Sequence, residues 1–224
     1  MTGHMLTFPA SGGTTSGYLA APASGTGPGI IVLQEWWGLV PHIKDVADRF
    51  AAEGFVALAP DMYNGNATTH PDEAARQMMA LNIATTGTNL KGAAAFLKTK
   101  SSTAKIGSVG FCMGGQLALF AATLNPDFGA CVDFYGVHPN VKPDFAKLNC
   151  PVLGLFGDTD GHVTPAVAKA LDAAIKAAGG RSEIHIYPGT GHAFFNDTRP
   201  EAYDKAAAAD AWVRTLAFLR GHLR

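Results

Sequence analysis

The stretch KIGSVGFCMGGQLALFAATL, residues 105–124, joins an apolar β-type run to an Ala- and Leu-rich helical pattern. The turn between the two patterns is GFCMGG, in which Cys112 lies between Gly110 and Gly114. Glycine lets a strand and a helix approach each other closely at a strained corner. The stretch therefore predicts a strand, a sharp turn and a helix, with the Cys112 side chain at the corner.

Five further short runs share the nearly continuous apolar character of this strand, and they lie at 29–34, 54–60, 129–136, 151–157 and 182–188. Such runs are typical of parallel strands that are buried on both faces of a sheet. Helical patterns alternate with them at 41–54, 85–100, 113–124, 164–180 and 201–223. This alternation predicts an α/β fold with a doubly wound, mostly parallel sheet and helices on both faces.

The chain has no repeat, charge block or linker long enough to separate domains, so residues 1–224 are expected to form a single domain. Only residues 61–73 are predicted to form a long connection, and long loops in compact domains are often functional.

Composition excludes several classes of partner. The chain is 47% hydrophobic and 16% charged, with a net charge of −1, so it has no basic surface for nucleic acid or acidic lipid. No signal-peptide pattern or long apolar segment is found, and we expect a cytoplasmic protein without membrane contact. The three cysteines, Cys112, Cys131 and Cys150, are expected to be free thiols, the last two structural. The histidines show no metal-ligand spacing, and neither a metal nor a cofactor is expected.

In sheets of this kind, ligands bind beyond the carboxyl ends of the strands. Reactive side chains are expected after four of the predicted strands. Glu35 follows the first central strand, Cys112 follows the strand at 105–111, Asp158 and Asp160 follow the strand at 151–157, and His192 follows the last strand. The order nucleophile, acid, histidine is that of an α/β-hydrolase triad. We expect Asp160 to be the acid and Asp158 to stabilise the turn or cap the next helix.

This set of residues is suited to acyl transfer. A Cys112 thiolate at a helix N-terminus can attack an acyl carbon, and His192 can shuttle the proton while Asp160 orients it. The backbone N–H groups of Met113 and Trp36 are the predicted oxyanion donors. The alternative for Cys112 alone is a buried structural thiol, which is common for free cysteine.

The chain also resembles the dienelactone hydrolase family of α/β-hydrolases, whose prototype is carboxymethylenebutenolidase. The resemblance extends over about residues 17–219 and rests on the segments VLQEWWGL, APDMYNG, GSVGFCMGGQLAL, VDFYG, FGDTDGHVTP and YPGTGHAFFND.

The resemblance implies roles for individual residues. It implies that Cys112 is the nucleophile, that Asp160 and His192 complete the triad, and that Glu35 takes up the thiol proton when substrate binds. Tyr135 matches an aromatic residue near the family's pocket.

Two positions depart from the family pattern. The prototype holds the substrate carboxylate with two arginines, and one of these positions is Asn196 here while the other falls among Thr68, Thr69, His70 and Pro71. Arg76 and Arg199 do not match by spacing, although either can be the anchor from another backbone position. A neutral substrate is therefore expected.

The aromatic side chains of Trp36, Tyr135, Phe194 and Phe195 are expected to line an apolar pocket. Asn196 and Arg76 are candidate substrate contacts, and an ion pair between Arg76 and Glu35 is the structural alternative for that glutamate.

These observations predict a thiol hydrolase that cleaves a lactone or small activated ester, as a monomer or homodimer. The alternatives are a broad-specificity carboxylesterase or thioesterase, and a catalytically silent binding protein on the same fold.

Overall fold

The computed structural model describes residues 3–10 and 13–224. Its strands are β1 (His4–Ala10), β2 (Gly13–Ala20), β3 (Gly29–Leu33), β4 (Val56–Pro60), β5 (Ile106–Phe111), β6 (Phe128–Phe134), β7 (Val152–Gly157) and β8 (Ser182–Tyr187). They form an eight-stranded sheet in the order β1-β2-β4-β3-β5-β6-β7-β8. Strands β3 to β8 pair in parallel, and β1 and β2 are antiparallel. The prediction of a mostly parallel sheet is confirmed.

The helices are α1 (Pro41–Ala52), α2 (Pro71–Ala80), α3 (Ile83–Lys98), α4 (Met113–Leu124), α5 (Pro165–Ala177) and α6 (Lys205–His222), with a short 3₁₀ turn at Phe145–Lys147. Neighbouring residues of β5 show that helices cover both faces. Gly107 faces Leu219 of α6, whereas the Ser108 hydroxyl donates to the Ala118 carbonyl of α4. Since successive strand residues point to opposite faces, α4 and α6 lie on opposite sides of the sheet.

The centre of the sheet is buried on both faces. Every residue of β3, β4 and β5 is buried, which explains why these segments are almost continuously apolar. Burying one Val, Leu or Ile side chain stabilises the fold by about 1.5–3 kcal/mol, so this layer supplies much of the stability. None of the described helices is both long enough and apolar enough to cross a bilayer.

Strands β1 and β2 and helix α2 were not predicted from the sequence. The β1–β2 hairpin lies at the edge of the sheet, and its exposed and buried residues do not give the continuous apolar run used to find the central strands. Helix α2 begins at Pro71 and is followed by α3 at Ile83, so the connection predicted over 61–73 ends at residue 70.

The carboxyl ends of the parallel strands meet at one edge of the sheet. Glu35 follows β3, Cys112 follows β5, Asp160 follows β7 and His192 follows β8. Because β3, β5, β6, β7 and β8 are consecutive neighbours in the sheet, this order places the loops that carry the predicted site residues side by side.

Candidate active site

Cys112 lies at a strained corner between β5 and α4. Its backbone has φ 54° and ψ −121°, a conformation that costs energy for a residue with a Cβ. A Cβ added to Gly110 would collide with the Gly114 carbonyl, and one added to Gly114 would collide with the Leu33 carbonyl. The glycines therefore permit the tight turn, which places the Cys112 thiol at the N-terminus of α4.

His192 is bonded to an acid and lies near the thiol. Its Nδ1 lies 2.7 Å from Oδ2 of Asp160, and the Cys112 side chain is close enough to affect its pKa. Burial favours the neutral imidazole, but the bond to Asp160 and the neighbouring Cys112 outweigh burial and raise the pKa of His192 to about 10. The raised pKa favours the imidazolium form of His192.

The second carboxylate oxygen of Asp160 is also hydrogen-bonded. Oδ1 accepts the backbone N–H groups of His162 at 2.7 Å and Val163 at 2.9 Å. Burial alone would raise the pKa of Asp160, yet the contacts with His192 and these N–H groups lower it. Asp158 is exposed and accepts the Gly189 N–H at 2.7 Å. The structure thus brings Asp160 to His192 and leaves Asp158 in the turn.

Glu35 is buried beside this group. Its Oε2 accepts a hydrogen bond from Nδ2 of Asn196 at 2.7 Å, and its Oε1 has no partner among the described residues. Burial raises the pKa of Glu35, although the Asn196 bond and the charges of His192 and Arg199 oppose the shift. A carboxylate with a raised pKa takes up a proton readily.

The Asn196 amide is already engaged. Besides donating to Glu35, it accepts the N–H of Thr198 at 3.0 Å and the Thr198 hydroxyl at 2.6 Å. Asn196 is only 2% exposed. The expected substrate contact of Asn196 stays a prediction, and the structure shows that its neutral amide is bonded to Glu35 and Thr198.

The alternative ion pair between Arg76 and Glu35 is wrong. Arg76 is on α2, with an exposed side chain that pairs with Glu73 one turn earlier. Glu35 instead contacts Asn196, a neutral residue.

Three of the four aromatic residues expected to line an apolar pocket lie in the core. Tyr135 and Phe194 are fully buried and Phe195 is 1% exposed, because they pack with Phe111 and Phe134 in one aromatic cluster. The prediction that these three residues line an apolar pocket is therefore wrong, and their aromatic rings pack beneath the site. Tyr135 has a positive φ of 43° and its ring lies 5.0 Å from the His192 ring.

The two predicted oxyanion donors are free. No hydrogen bond within residues 3–10 and 13–224 uses the backbone N–H of Trp36 or Met113. Trp36 is half-buried and packs edge-on against Trp37, with ring centroids 5.0 Å apart. Free N–H groups in the loop after β3 and at the start of α4 can stabilise an oxyanion formed at Cys112.

Tyr63 is a neighbour of Cys112 that sequence reasoning missed. Its hydroxyl donates to Sδ of Met113 at 3.1 Å. Burial raises the pKa of Tyr63, and the charge of the nearby Cys112 sulfur raises it further. Tyr63 belongs to the loop after β4, so the rule that ligands bind beyond strand ends could have found it.

Two cavities are lined by neighbours of this group. One of about 850 Å³ lies between the Met62–Thr68 segment, which includes Tyr63, and helices α2 and α3. The other, of about 510 Å³, is bounded by Trp37, His42 and the Asn196–Glu201 segment. Within the described part of the chain, no group of three or more His, Cys, Asp or Glu residues is placed to hold a metal ion.

Comparison with known proteins gives a consistent result. The profile of the Dienelactone hydrolase family matches residues 15–223. The chain is 36% identical to "Protein usf" of Aquifex pyrophilus, over 99% of both chains. It is 30% identical to the "Putative carboxymethylenebutenolidase" of Aquifex aeolicus, over 99% of this chain and 100% of the relative.

The structure is similar to the crystal structure of a "Putative Dienelactone Hydrolase" from Klebsiella pneumoniae. The TM-score is 0.89 at 29% identity, covering 98% of both chains.

Proposed function

Since the chain belongs to the dienelactone hydrolase family and is a hydrolase of esters or lactones, we propose that it cleaves a lactone or small activated ester with the triad Cys112, His192 and Asp160. The observation that carries this proposal is the hydrogen bond between Asp160 and His192, whose ring lies near Cys112 at the strained corner.

The first half of the reaction is acylation. The Cys112 thiolate attacks the acyl carbon and forms a C–S bond, while the carbonyl π electrons move onto oxygen. The N–H groups of Trp36 and Met113 stabilise this oxyanion. The tetrahedral intermediate then collapses, the C–O bond to the leaving group breaks, and the alkoxide takes a proton from His192.

The second half of the reaction is hydrolysis of the thioester. Neutral His192 removes a proton from a water molecule, and the resulting hydroxide attacks the acyl carbon. The C–S bond breaks, the carboxylic acid leaves, and Cys112 returns as a thiolate beside the imidazolium. For a lactone, the alcohol and the acid are two ends of one product.

Glu35 supplies the starting thiolate in this scheme. It accepts the proton of the Cys112 thiol when substrate binds and returns it after product release, so one turnover consumes only water. Burial raises the pKa of Glu35 and makes it a better proton acceptor, while the bond from Asn196 opposes this shift and holds the carboxylate in place; both features support this role.

A neutral substrate fits the charges around the site. Arg76 pairs with Glu73, and Arg199 pairs with Glu201, with Nη2 2.7 Å from the carboxylate. Asn196 has no charge and is bonded to Glu35. Both arginines are therefore already paired, and none of the three residues offers a free positive charge to a substrate carboxylate.

The test is steady-state hydrolysis of δ-valerolactone and p-nitrophenyl acetate by the parent and by Cys112→Ala. We expect turnover by the variant to fall to near background with little change in thermal stability, because the substitution removes only the sulfur atom of Cys112 and leaves the Cβ in place. Cys131→Ala is the matched control, since that thiol is fully buried and its pKa is raised by burial. Hydrolysis by Cys112→Ala within tenfold of the parent would refute the proposal.

A further inference from the structure

The loop after His192 holds the backbone of Asn196 on both sides. The Asn196 N–H donates to the Ala193 carbonyl at 2.9 Å, and the Asn196 carbonyl accepts the Arg199 N–H at 3.1 Å. Ala193 has a positive φ of 64°, a backbone conformation that is uncommon outside turns. The backbone held in this way leaves the Asn196 side chain in the interior, where it reaches Glu35 in the loop after β3.

The two ends of the Asn196 amide have different partners. Its Nδ2 donates to Oε2 of Glu35 at 2.7 Å. Its Oδ1 accepts two hydrogen bonds from Thr198, one from the backbone N–H at 3.0 Å and one from the hydroxyl at 2.6 Å. The donor end of the amide therefore faces the carboxylate and the acceptor end faces Thr198, as the chemistry of each neighbour requires.

The orientation of the amide is set from the Thr198 side as well as from Glu35. An ionised carboxylate only accepts, so it selects the NH₂ group by itself, whereas a protonated Glu35 could also donate to an amide that has turned over. The backbone N–H of Thr198 can only donate, so it would then face the NH₂ group and lose its acceptor. The hydroxyl adds a second bond in the observed orientation. With both bonds, the amide remains a donor to Glu35 in either protonation state.

The charge state of Glu35 depends on this amide. Within residues 3–10 and 13–224 the Glu35 carboxylate accepts one hydrogen bond, from Asn196, and its Oε1 has no partner. Burial raises the pKa of Glu35, and the Asn196 bond is the largest of the effects that lower it, ahead of the charges of His192 and Arg199. Tyr135 is a further titratable neighbour, because the charge of Glu35 raises its pKa. Whatever fixes the amide therefore influences how readily Glu35 gives up a proton.

Thr198 itself does not contact the reacting groups. Its side chain is exposed, and within the described part of the chain its hydrogen bonds go only to Asn196. It hydrogen-bonds to neither Cys112 nor His192 there. An effect of the Thr198 hydroxyl on the site must therefore pass through the Asn196 amide.

From these contacts we propose that Thr198 is a positioning residue of the site, which holds the Asn196 amide in the orientation that donates to Glu35. In each turnover the S–H bond of Cys112 breaks as an O–H bond forms on Glu35, and the proton returns after product release. Because the amide cannot turn over to accept from protonated Glu35, it does not stabilise that form, and the proton is returned readily. The orientation of the amide stands on the hydrogen bonds alone, whereas its effect on turnover rests on the proposed function of Glu35.

The test compares Thr198→Val, which removes the hydroxyl and keeps the side-chain shape, with Thr198→Ser, which keeps both donors. With p-nitrophenyl acetate, Thr198→Val should move the acid limb of the pH–rate profile to higher pH. Below that limb kcat/KM should fall about fivefold, as the loss of one neutral hydrogen bond would cause. Above it the parent and Thr198→Val should have equal kcat/KM, because Glu35 is ionised in both, and Thr198→Ser should match the parent throughout. An unmoved acid limb, or an equal loss of activity at every pH, would overturn the proposal.

A titration that does not depend on catalysis separates this proposal from the proposed function. The ¹³C NMR signal of the Glu35 carboxyl carbon, assigned by its absence from Glu35→Gln, should titrate at higher pH in Thr198→Val than in the parent. In the Asn196→Ala background, Thr198→Val should cause no further change. An unchanged titration in Thr198→Val would refute the role of Thr198, whether or not the protein hydrolyses esters. A shifted titration with an unmoved pH–rate profile would support the amide orientation and contradict the role of Glu35 in the reaction.

Discussion

Asp160 and Asp158 are two residues apart and have different environments, so substitutions at the two positions should have different effects. The bond from Asp160 raises the pKa of His192 and holds the ring in one tautomer. Asp160→Asn should lower kcat by a factor on the order of 10⁴. Because the pKa of His192 falls when this bond is lost, the alkaline limb of the pH–rate profile should move to lower pH.

Asp158→Asn is the matched control for Asp160→Asn, because Asp158 contacts the Gly189 N–H and not His192. Its pH–rate profile should match that of the parent, and only thermal stability should decrease slightly. If Asp158→Asn lost more activity than Asp160→Asn, the assignment of the acid would be reversed.

The substitution Glu35→Gln should lower activity and raise thermal stability at high pH. Glu35→Gln keeps the size of the side chain and removes the proton acceptor, so acylation should slow by about 10²-fold. Burial raises the folded-state pKa of Glu35, which means that its stabilising contribution is present at low pH and is lost as pH rises through that pKa. Glu35→Gln should therefore unfold at a higher temperature than the parent at pH 8 and at a similar temperature near pH 4.

Pre-steady-state release of p-nitrophenol and thermal melts at the two pH values are the measurements for Glu35→Gln. An unchanged acylation rate would show that the Cys112 proton leaves by another route. Asn196→Ala provides a second comparison, because it removes the bond that opposes the raised pKa and should move the acid limb of the activity profile to higher pH.

The corner between β5 and α4 depends on the absence of side chains at its glycines. A Cβ at Gly115 would collide with Oδ1 of Asp133 on β6, whereas a Cβ at Gly221 in α6 would meet nothing within 4 Å. Gly115→Ala should destabilise the protein by about 1–3 kcal/mol. Gly221→Ala should stabilise it slightly, because alanine has the higher helix propensity.

Chemical denaturation of the two variants measures the difference in their free energies of unfolding. Gly115→Ala should also lower activity, since the displaced α4 carries the Met113 N–H. Equal stabilities of the two variants would show that the corner has room that its contacts do not suggest.

The central elements were predictable because their local pattern agrees with their tertiary environment. The runs that became β3 to β8 are almost fully apolar or follow a strand–turn–helix motif, and the structure buries most of them on both faces. The β1–β2 hairpin was not predicted, since an edge position permits a mixed pattern rich in Gly, Ser and Thr.

Helix α2 could have been found from local signals. Pro71 at the first helical position, followed by Asp72 and Glu73 in the first turn, is typical of a helix start. Because its exposed face is polar and only Ala74 is fully buried, the apolar periodicity that identifies other helices is weak.

At the scale of the whole molecule, a buried carboxylate on β6 links pH to stability. Asp133 is fully buried, and burial raises its pKa to about 7 against the opposing effect of the Gly136 N–H. Since the folded state binds this proton more tightly than the unfolded chain, its contribution to stability is complete below the unfolded pKa of 3.8 and falls as pH rises to about 7.

Asp133→Asn should remove this contribution to the pH dependence. Unfolding free energies of the parent and the variant, measured by urea denaturation from pH 5 to pH 9, should diverge as pH rises to about 7 and then run parallel, with the parent the less stable at high pH. Parallel curves over the entire range would mean that Asp133 is ionised in the folded protein at pH 5.

The contacts of the site were only partly predictable, because side-chain partners depend on the packing of distant segments. Strand ends indicated Glu35, Cys112, Asp160 and His192, but nothing in the sequence showed that Asn196 would bond to Glu35 across 161 positions. The aromatic residues near His192 suggested a pocket, and the structure buries them because the segments after β6 and β8 bring their rings together.

The central claim is that Cys112 carries the acyl group during turnover. The most direct measurement is intact-mass spectrometry of the enzyme quenched in acid during reaction with p-nitrophenyl acetate, followed by peptide mapping. We predict one acetyl group per chain on Cys112, none in Cys112→Ala, and longer-lived acetylation in Asp160→Asn. Acetylation at another residue, or rapid turnover by Cys112→Ala without a covalent intermediate, would contradict the account.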